Sequence, residues 1–215
     1  MDRAQQGGRS GGRFLVLDGI DGCGKSTQAL RLVQVLGERA REEGRGEPLH
    51  VREPGSTALG ERLRELLLDR EARIGSGGEA LLFAAARRQL LAELVAPALA
   101  EGRDVVCERF HPATLAYQAH AGELEFDGVL ALLLEWAGEP EPELCVVLEV
   151  DPERAAERRG GGEDRIEARG IEFQQRVAEG FQRCVERIEW VVSVDGEGSL
   201  DEVAARVLAE VDRER

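Results

Sequence analysis

The segment GIDGCGKST, residues 19–27, follows the apolar run FLVL (14–17) and precedes an amphipathic stretch. The chain is thereby expected to pass from a strand through a glycine loop into a helix. The segment satisfies G-x-x-x-x-G-K-[ST] at Gly19, Gly24, Lys25 and Ser26. Each residue type has a physical reason to be there. Glycines let successive backbone N–H groups curl around phosphate oxygens, and the helix N-terminus adds its positive end. Lysine neutralises charge on the phosphoryl group, and the serine hydroxyl is a ligand for Mg2+. The phosphate-binding set is therefore Gly19, Asp21, Gly22, Cys23, Gly24, Lys25, Ser26 and Thr27. The alternative is an accidental match in a glycine-rich chain, which the flanking strand and helix disfavour.

Composition narrows the ligand. The 215-residue chain holds one lysine, Lys25, and no asparagine, so 27 of its 28 basic residues are arginine. That lysine lies inside the loop, where a guanidinium fork cannot replace a slim ammonium reaching into a ring of amides. Without asparagine there is no Asn-Lys-x-Asp base reader of the Ras-type GTPases. A formal charge of -14 argues against nucleic acid and membrane surfaces as partners and points to small molecules. A hydrophobic content of 42% with 33% charged residues fits one globular domain, placed at 12–215 behind a polar Gly/Arg tail at 1–11. No apolar run reaches the ~20 residues that span a bilayer, and the start carries no signal-peptide core, so a cytoplasmic location is expected. Cys23, Cys107, Cys145 and Cys184 lack pairwise metal spacing and read as reduced, buried thiols.

Beyond the loop, apolar runs and helical periodicity alternate. Strands are expected at 14–17, 49–51, 104–107, 144–150 and 190–194. Helices are expected at 28–43, 59–68, 79–101, 113–120, 128–136, 152–159, 166–187 and 200–211. This alternation means an α/β fold with a parallel sheet covered on both faces, whose ligands gather at the carboxyl ends of the strands.

Two segments fall at those ends: REPGST (52–57) after the second strand, and CERFHPATLAYQ (107–118) after the third. Together with the loop, LLFAAARRQLLAELVAPAL (81–99) and RRGGGEDRIE (158–167), they resemble the thymidylate kinase family along nearly the whole chain, in order and in spacing. In that family the corresponding motifs read xGxDGxGKST, REPGGT, DR[YFH]xxSxxAYQ and a lid ending in DRIE. The resemblance implies a P-loop nucleoside-monophosphate-kinase-like three-layer fold with a five-stranded parallel sheet, usually a homodimer. It further implies ATP-dependent phosphorylation of dTMP to dTDP, with Mg2+ as cofactor.

Site roles follow from the same resemblance. Lys25 serves the ATP phosphates, Arg109 grips the acceptor phosphate and Arg52 is a second clamp. Ser26, Glu108 and Glu53 form the metal side, with Glu108 where the family has Asp. Asp21 meets the sugar 3'-hydroxyl, although an Asp here also reads as a loop-stabilising turn residue. Phe83 stacks on the base and Arg87, four residues on and on the same helical face, bonds a base carbonyl. Leu82, Phe83, Ala86 and Leu90 read equally as plain core. Thr114 and Tyr117 lie near base and sugar, with the tyrosine ring crowding a 2'-hydroxyl, and Gln118 completes the AYQ match. Thr114 reads just as well as a helix first-turn residue, and Ala113 stands where the family has Ser. Gly22 leaves the loop without a basic residue there, so the lid near 158–167 is expected to supply catalytic charge from Arg158, Arg159 and Arg165. Glycines 160–162 give that lid backbone freedom. Two other readings stay open: a different P-loop nucleoside or nucleoside-monophosphate kinase, and a nucleotide-binding homologue with weakened catalysis, suggested by Glu108 and Ala113.

Overall fold

The computed structural model describes residues 11–158 and 165–213. Residues 1–10 of the expected tail, Arg159 and the rest of the lid through residue 164 lie outside the described residues. Five strands, β1 (Phe14–Asp18), β2 (Leu49–Arg52), β3 (Val105–Glu108), β4 (Leu144–Glu149) and β5 (Val191–Asp195), form one sheet in the order β2-β3-β1-β4-β5. All neighbours are parallel. Every residue of β1 is buried, as expected for a continuous apolar strand covered on both faces. The register pairs Leu17 with Glu108 and Arg52 with Glu108, so β1, β2 and β3 end together. The loops after them open on one edge of the sheet.

The helices are α1 (Lys25–Glu42), α2 (Ala58–Leu68), α3 (Ser76–Leu90), α4 (Ala96–Ala100), α5 (His111–Thr114), α6 (Phe126–Ala137), α7 (Pro152–Arg158), α8 (Ile171–Arg187) and α9 (Leu200–Arg213). A π-helical turn at Leu91–Val95 joins α3 to α4, and a second at Leu115–His120 extends α5. The stretch expected to be helical from residue 166 divides: Glu167–Arg169 makes one 3-10 turn, and α8 begins only after Gly170, whose φ of 85° breaks the run. Helix α1 starts directly from Gly24 in the left-handed region, φ 93° and ψ 9°, which only glycine adopts without strain. Its first residue is Lys25, so the loop delivers the lysine and Ser26 at the helix N-terminus.

Helix α8 lies against the Leu115–His120 segment at unusually close range. A Cβ built on Gly180 would stand 2.7 Å from Ala116 Cα and 2.9 Å from His120 Cβ. The glycine therefore permits the approach that holds the segment carrying Tyr117 and Gln118. Replacing a helical glycine by alanine normally stabilises by about 1 kcal/mol. Here overlap outweighs propensity, and Gly180→Ala is expected to destabilise the fold by ~1–3 kcal/mol in urea unfolding. Unchanged or increased stability would show that α8 does not depend on that contact.

Candidate active site

The site is organised by a residue the motif reading did not single out. Asp18 ends β1 and is wholly buried. Its Oδ1 accepts from Gly19 N at 2.9 Å, and its Oδ2 accepts from Phe110 N and Ala113 N, each at 3.1 Å. One carboxylate thus joins the glycine loop after β1 to the turn after β3. The only sequence signal for it is an acid closing a buried strand directly before the first loop glycine.

Arg109 follows β3 with φ at 70°, a left-handed conformation that is uncommon outside glycine and marks a constrained position. Its guanidinium reaches back to the loop, donating from Nη2 to Asp21 Oδ1 and from Nη1 to Gly19 O at 3.4 Å, and lies 5.2 Å from the Tyr117 ring centroid. Asp21 Oδ2 accepts from the Tyr117 hydroxyl at 2.9 Å. Lys25 Nζ donates to Ile20 O at 3.1 Å and stands 3.7 Å from Asp21 Oδ1. Burial opposes ionisation of Asp21, but Arg109 and Lys25 hold its carboxyl well below the usual carboxylate range. Burial together with Asp21 pushes the Tyr117 phenol well above its ordinary value, so it stays a neutral donor. Lys25 of the glycine loop and Arg109 of the turn after β3 therefore converge on one aspartate.

Beyond Arg109 opens a cleft enclosing about 570 Å³, its mouth included, of a size suited to a small nucleotide. Asp21, Phe83, Arg87, Arg109, Thr114, Tyr117 and Gln118 all line it, as the resemblance implies. Arg87, only 1% exposed, donates from Nε to Glu53 Oε2 at 2.7 Å and from Nη2 to Thr114 Oγ1 at 3.2 Å. Gln118 Nε2 donates to Glu79 Oε2 at 2.9 Å. Ala113 also lines the cleft and offers no side-chain hydrogen bond there.

Four expected residues have partners that the motif reading did not name. Glu53, expected on the metal side, instead accepts from Arg87 and lines the cleft, because a buried guanidinium needs a hydrogen-bond acceptor. Arg52 turns outward to Glu61 of α2, with Nη2 3.4 Å from Oε1, and the arginine that joins Arg87 and Arg109 in lining the cleft is Arg64. Arg64 falls one turn from buried Gly60 and Leu67 on α2, a helical-face signal that could have found it. Arg165 donates to Glu79 Oε1 at 2.6 Å and to Leu67 O at 2.9 Å, since the fully buried Glu79 requires cations; it acts as a strut. Arg158 donates to Glu197 Oε2 at 2.7 Å near the protein surface and does not line the cleft.

On the opposite side of Lys25, the Ser26 hydroxyl donates to Glu108 Oε2, and His50 Nε2 lies 2.9 Å from Glu108 Oε1. Burial raises the Glu108 carboxyl, but His50 and Ser26 more than reverse this and keep it ionised. A hydroxyl and a carboxylate at the loop are hard oxygen donors of the kind Mg2+ takes, so these two residues fit that ion.

A glycine loop that faces a cation-lined cleft across the ends of parallel strands defines a P-loop phosphotransferase acting on nucleotides. Residues 17–207 match the family described as thymidylate kinase, and the chain belongs to that family. It is 42% identical over 182 residues to the thymidylate kinase of Synechococcus sp. (strain RCC307), covering 83% of this chain and 86% of that one. It is 45% identical over 174 residues to that of Jannaschia sp. (strain CCS1), covering 79% and 80%. The crystal structure of thymidylate kinase from Ehrlichia chaffeensis superposes with a TM-score of 0.76 at 26% identity, covering 94% of this chain and 99% of that one. None of these three points to a different nucleoside-monophosphate kinase.

Burial pushes the Glu53 carboxyl up to about 7 against the pull of Arg87, and Glu53 Oε1 and Arg87 Nη1 are buried without hydrogen-bond partners among the described residues. The folded state then keeps a proton that the unfolded chain releases near 4.5. That contribution to stability is complete below the unfolded value and is lost as pH rises toward the folded one. Wild type should therefore lose stability relative to Glu53→Gln as pH rises from about 5 to about 8, by on the order of 1–3 kcal/mol. A difference that does not vary with pH would contradict the assignment.

Proposed function

We propose that the protein phosphorylates dTMP to dTDP with ATP as donor, and that the residues above divide the work between donor and acceptor. The observation that carries this reading is the single Asp21–Arg109–Tyr117 junction, through which the phosphate loop opens into the cleft lined by Phe83 and Arg87. An oxygen of the dTMP phosphate attacks the γ-phosphorus of ATP in line as the bond to the β,γ-bridging oxygen breaks, leaving ADP. Such a transfer needs position and charge stabilisation more than covalent chemistry. Lys25 takes up charge on the donor phosphates. Arg109, partly buried and held charged by Asp21, meets the acceptor phosphate as a planar fork. Phe83 stacks on thymine, Arg87 bonds its carbonyl, Asp21 orients the 3'-hydroxyl, and the Tyr117 ring excludes a 2'-hydroxyl.

Ser26 and Glu108 are assigned to Mg2+, which when bound shields the charge of the donor phosphates. Arg158 and Arg159 are assigned to stabilising the transferring group, while Arg165 braces the wall. A homodimer is the proposed assembly: α2, α3 and α6 carry the exposed Leu66, Leu81, Leu134 and Trp136, surface that a second copy would cover. A cytoplasmic location is proposed as well; among the described residues no helix is long and apolar enough to cross a membrane.

Turnover with ATP, Mg2+ and a panel of monophosphates tests the substrate. dTMP should give the highest kcat/KM, and a higher value for any purine or ribonucleoside monophosphate would contradict the reading. Phe83→Ala is the cleaner acceptor-side variant, because removing Arg87 would strand Glu53 in the core. It should lower kcat/KM for dTMP by roughly 10- to 100-fold, equivalent to the ~1–3 kcal/mol of base stacking, while the KM for ATP stays within about twofold. Equal losses for both substrates would place Phe83 in the core alone.

A further inference from the structure

We infer that His50 is a positioning residue for the metal side of the site, fixing the Glu108 carboxylate through its outer oxygen. The inference rests on the proposal that Ser26 and Glu108 hold Mg2+, and it concerns a residue that no motif includes. The β2–β3 register pairs His50 with Val106 and Arg52 with Glu108. His50 and Glu108 are therefore diagonal neighbours, two residues apart along the strands and on the same face of the sheet. Alpha carbons so related stand about 8 Å apart, a gap that two long side chains can bridge and shorter ones cannot. Here the imidazole and the glutamate close to 2.9 Å between His50 Nε2 and Glu108 Oε1.

Both carboxylate oxygens are thus engaged, Oε1 by His50 and Oε2 by Ser26. The in-register cation does not share the task, since Arg52 points to Glu61. His50 is half-exposed, and Glu108 is its one hydrogen-bond and ion-pair partner among the described residues. Glu108, flexible at three side-chain torsions, is left with one orientation, in which Oε2 faces the loop serine. A carboxylate one methylene shorter would have to give up either His50 or Ser26. The histidine and the longer acid therefore work as a matched pair, in the manner of outer groups that orient metal ligands.

Calorimetry of a non-hydrolysable ATP analogue, with and without Mg2+ and without dTMP, reads this independently of turnover. His50→Ala should reduce the Mg2+-dependent gain in affinity by about tenfold while the metal-free affinity is unchanged. The Mg2+ concentration for half-maximal turnover should rise in parallel, with the KM for dTMP constant. His50→Gln, whose amide can donate to Oε1, should recover most of the loss. Glu108→Asp should show a similar loss, and adding His50→Ala to it should cost nothing more. A wild-type Mg2+ gain in His50→Ala, a fall in metal-free affinity of the same size, or additive losses in the double variant would overturn the inference. Glu108→Ala separates the two levels: if it too keeps the full Mg2+ gain, the metal-side reading falls with the inference. If it loses the gain while His50→Ala does not, only the role of His50 fails.

Discussion

A carboxylate buried at the end of the central strand is the constraint on which the rest of the site depends. Desolvating Asp18 is costly and raises its carboxyl above the ordinary value, with Arg109 and the backbone N–H groups of Gly19 and Phe110 pulling the other way. What offsets the cost is the set of donors it gathers from two separate loops. The phosphate loop and the β3–α5 turn therefore have a fixed relation before any nucleotide arrives. Arg109, held at φ 70° between Asp18 and Asp21, is where that relation becomes chemistry. Strain of this kind persists only where neighbouring contacts determine the conformation.

The cleft wall repeats the device twice at greater depth. Arg87 lies between Glu53 and Thr114 and over the Phe110 ring at 4.9 Å, so its position is set by the core. Glu79, wholly buried, receives Gln118, Arg165 and Arg169, tying the far side of the lid segment to the start of α3. Removing one member of such a buried pair costs several kcal/mol because it strands the other. These buried contacts set the cleft walls, which Phe83 and Tyr117 also line.

Local pattern carried much of this architecture in plain view. The five strands were legible because each is a short apolar run bounded by turn residues, and the loop because its glycines, lysine and serine act within nine consecutive positions. Phe83 and Arg87 were singled out by the family resemblance, and their i, i+4 spacing put them on one helical face. The contacts that the motifs did not foretell share a cause: which of several nearby charges turns inward is decided by tertiary partners. Arg52 found Glu61 at the surface and left the cleft to Arg64, Glu53 was claimed by Arg87, and Arg165 by Glu79. The partners of Asp18 and His50 were hidden in the sequence for the same reason, since they lie 92 and 58 residues away.

The central claim is that Asp18 couples the donor loop to the acceptor turn, and Asp18→Asn tests it most directly. An amide of the same shape keeps one acceptor oxygen and presents an N–H2 to backbone donors, so it cannot serve both loops. Charged hydrogen bonds of this sort contribute about 1.5–3 kcal/mol each. Calorimetric titration of the folded variant, separately with an ATP analogue and with dTMP, should show both affinities reduced by roughly ten- to hundredfold, the equivalent of one such bond. Loss on one side only, or on neither, would contradict the account.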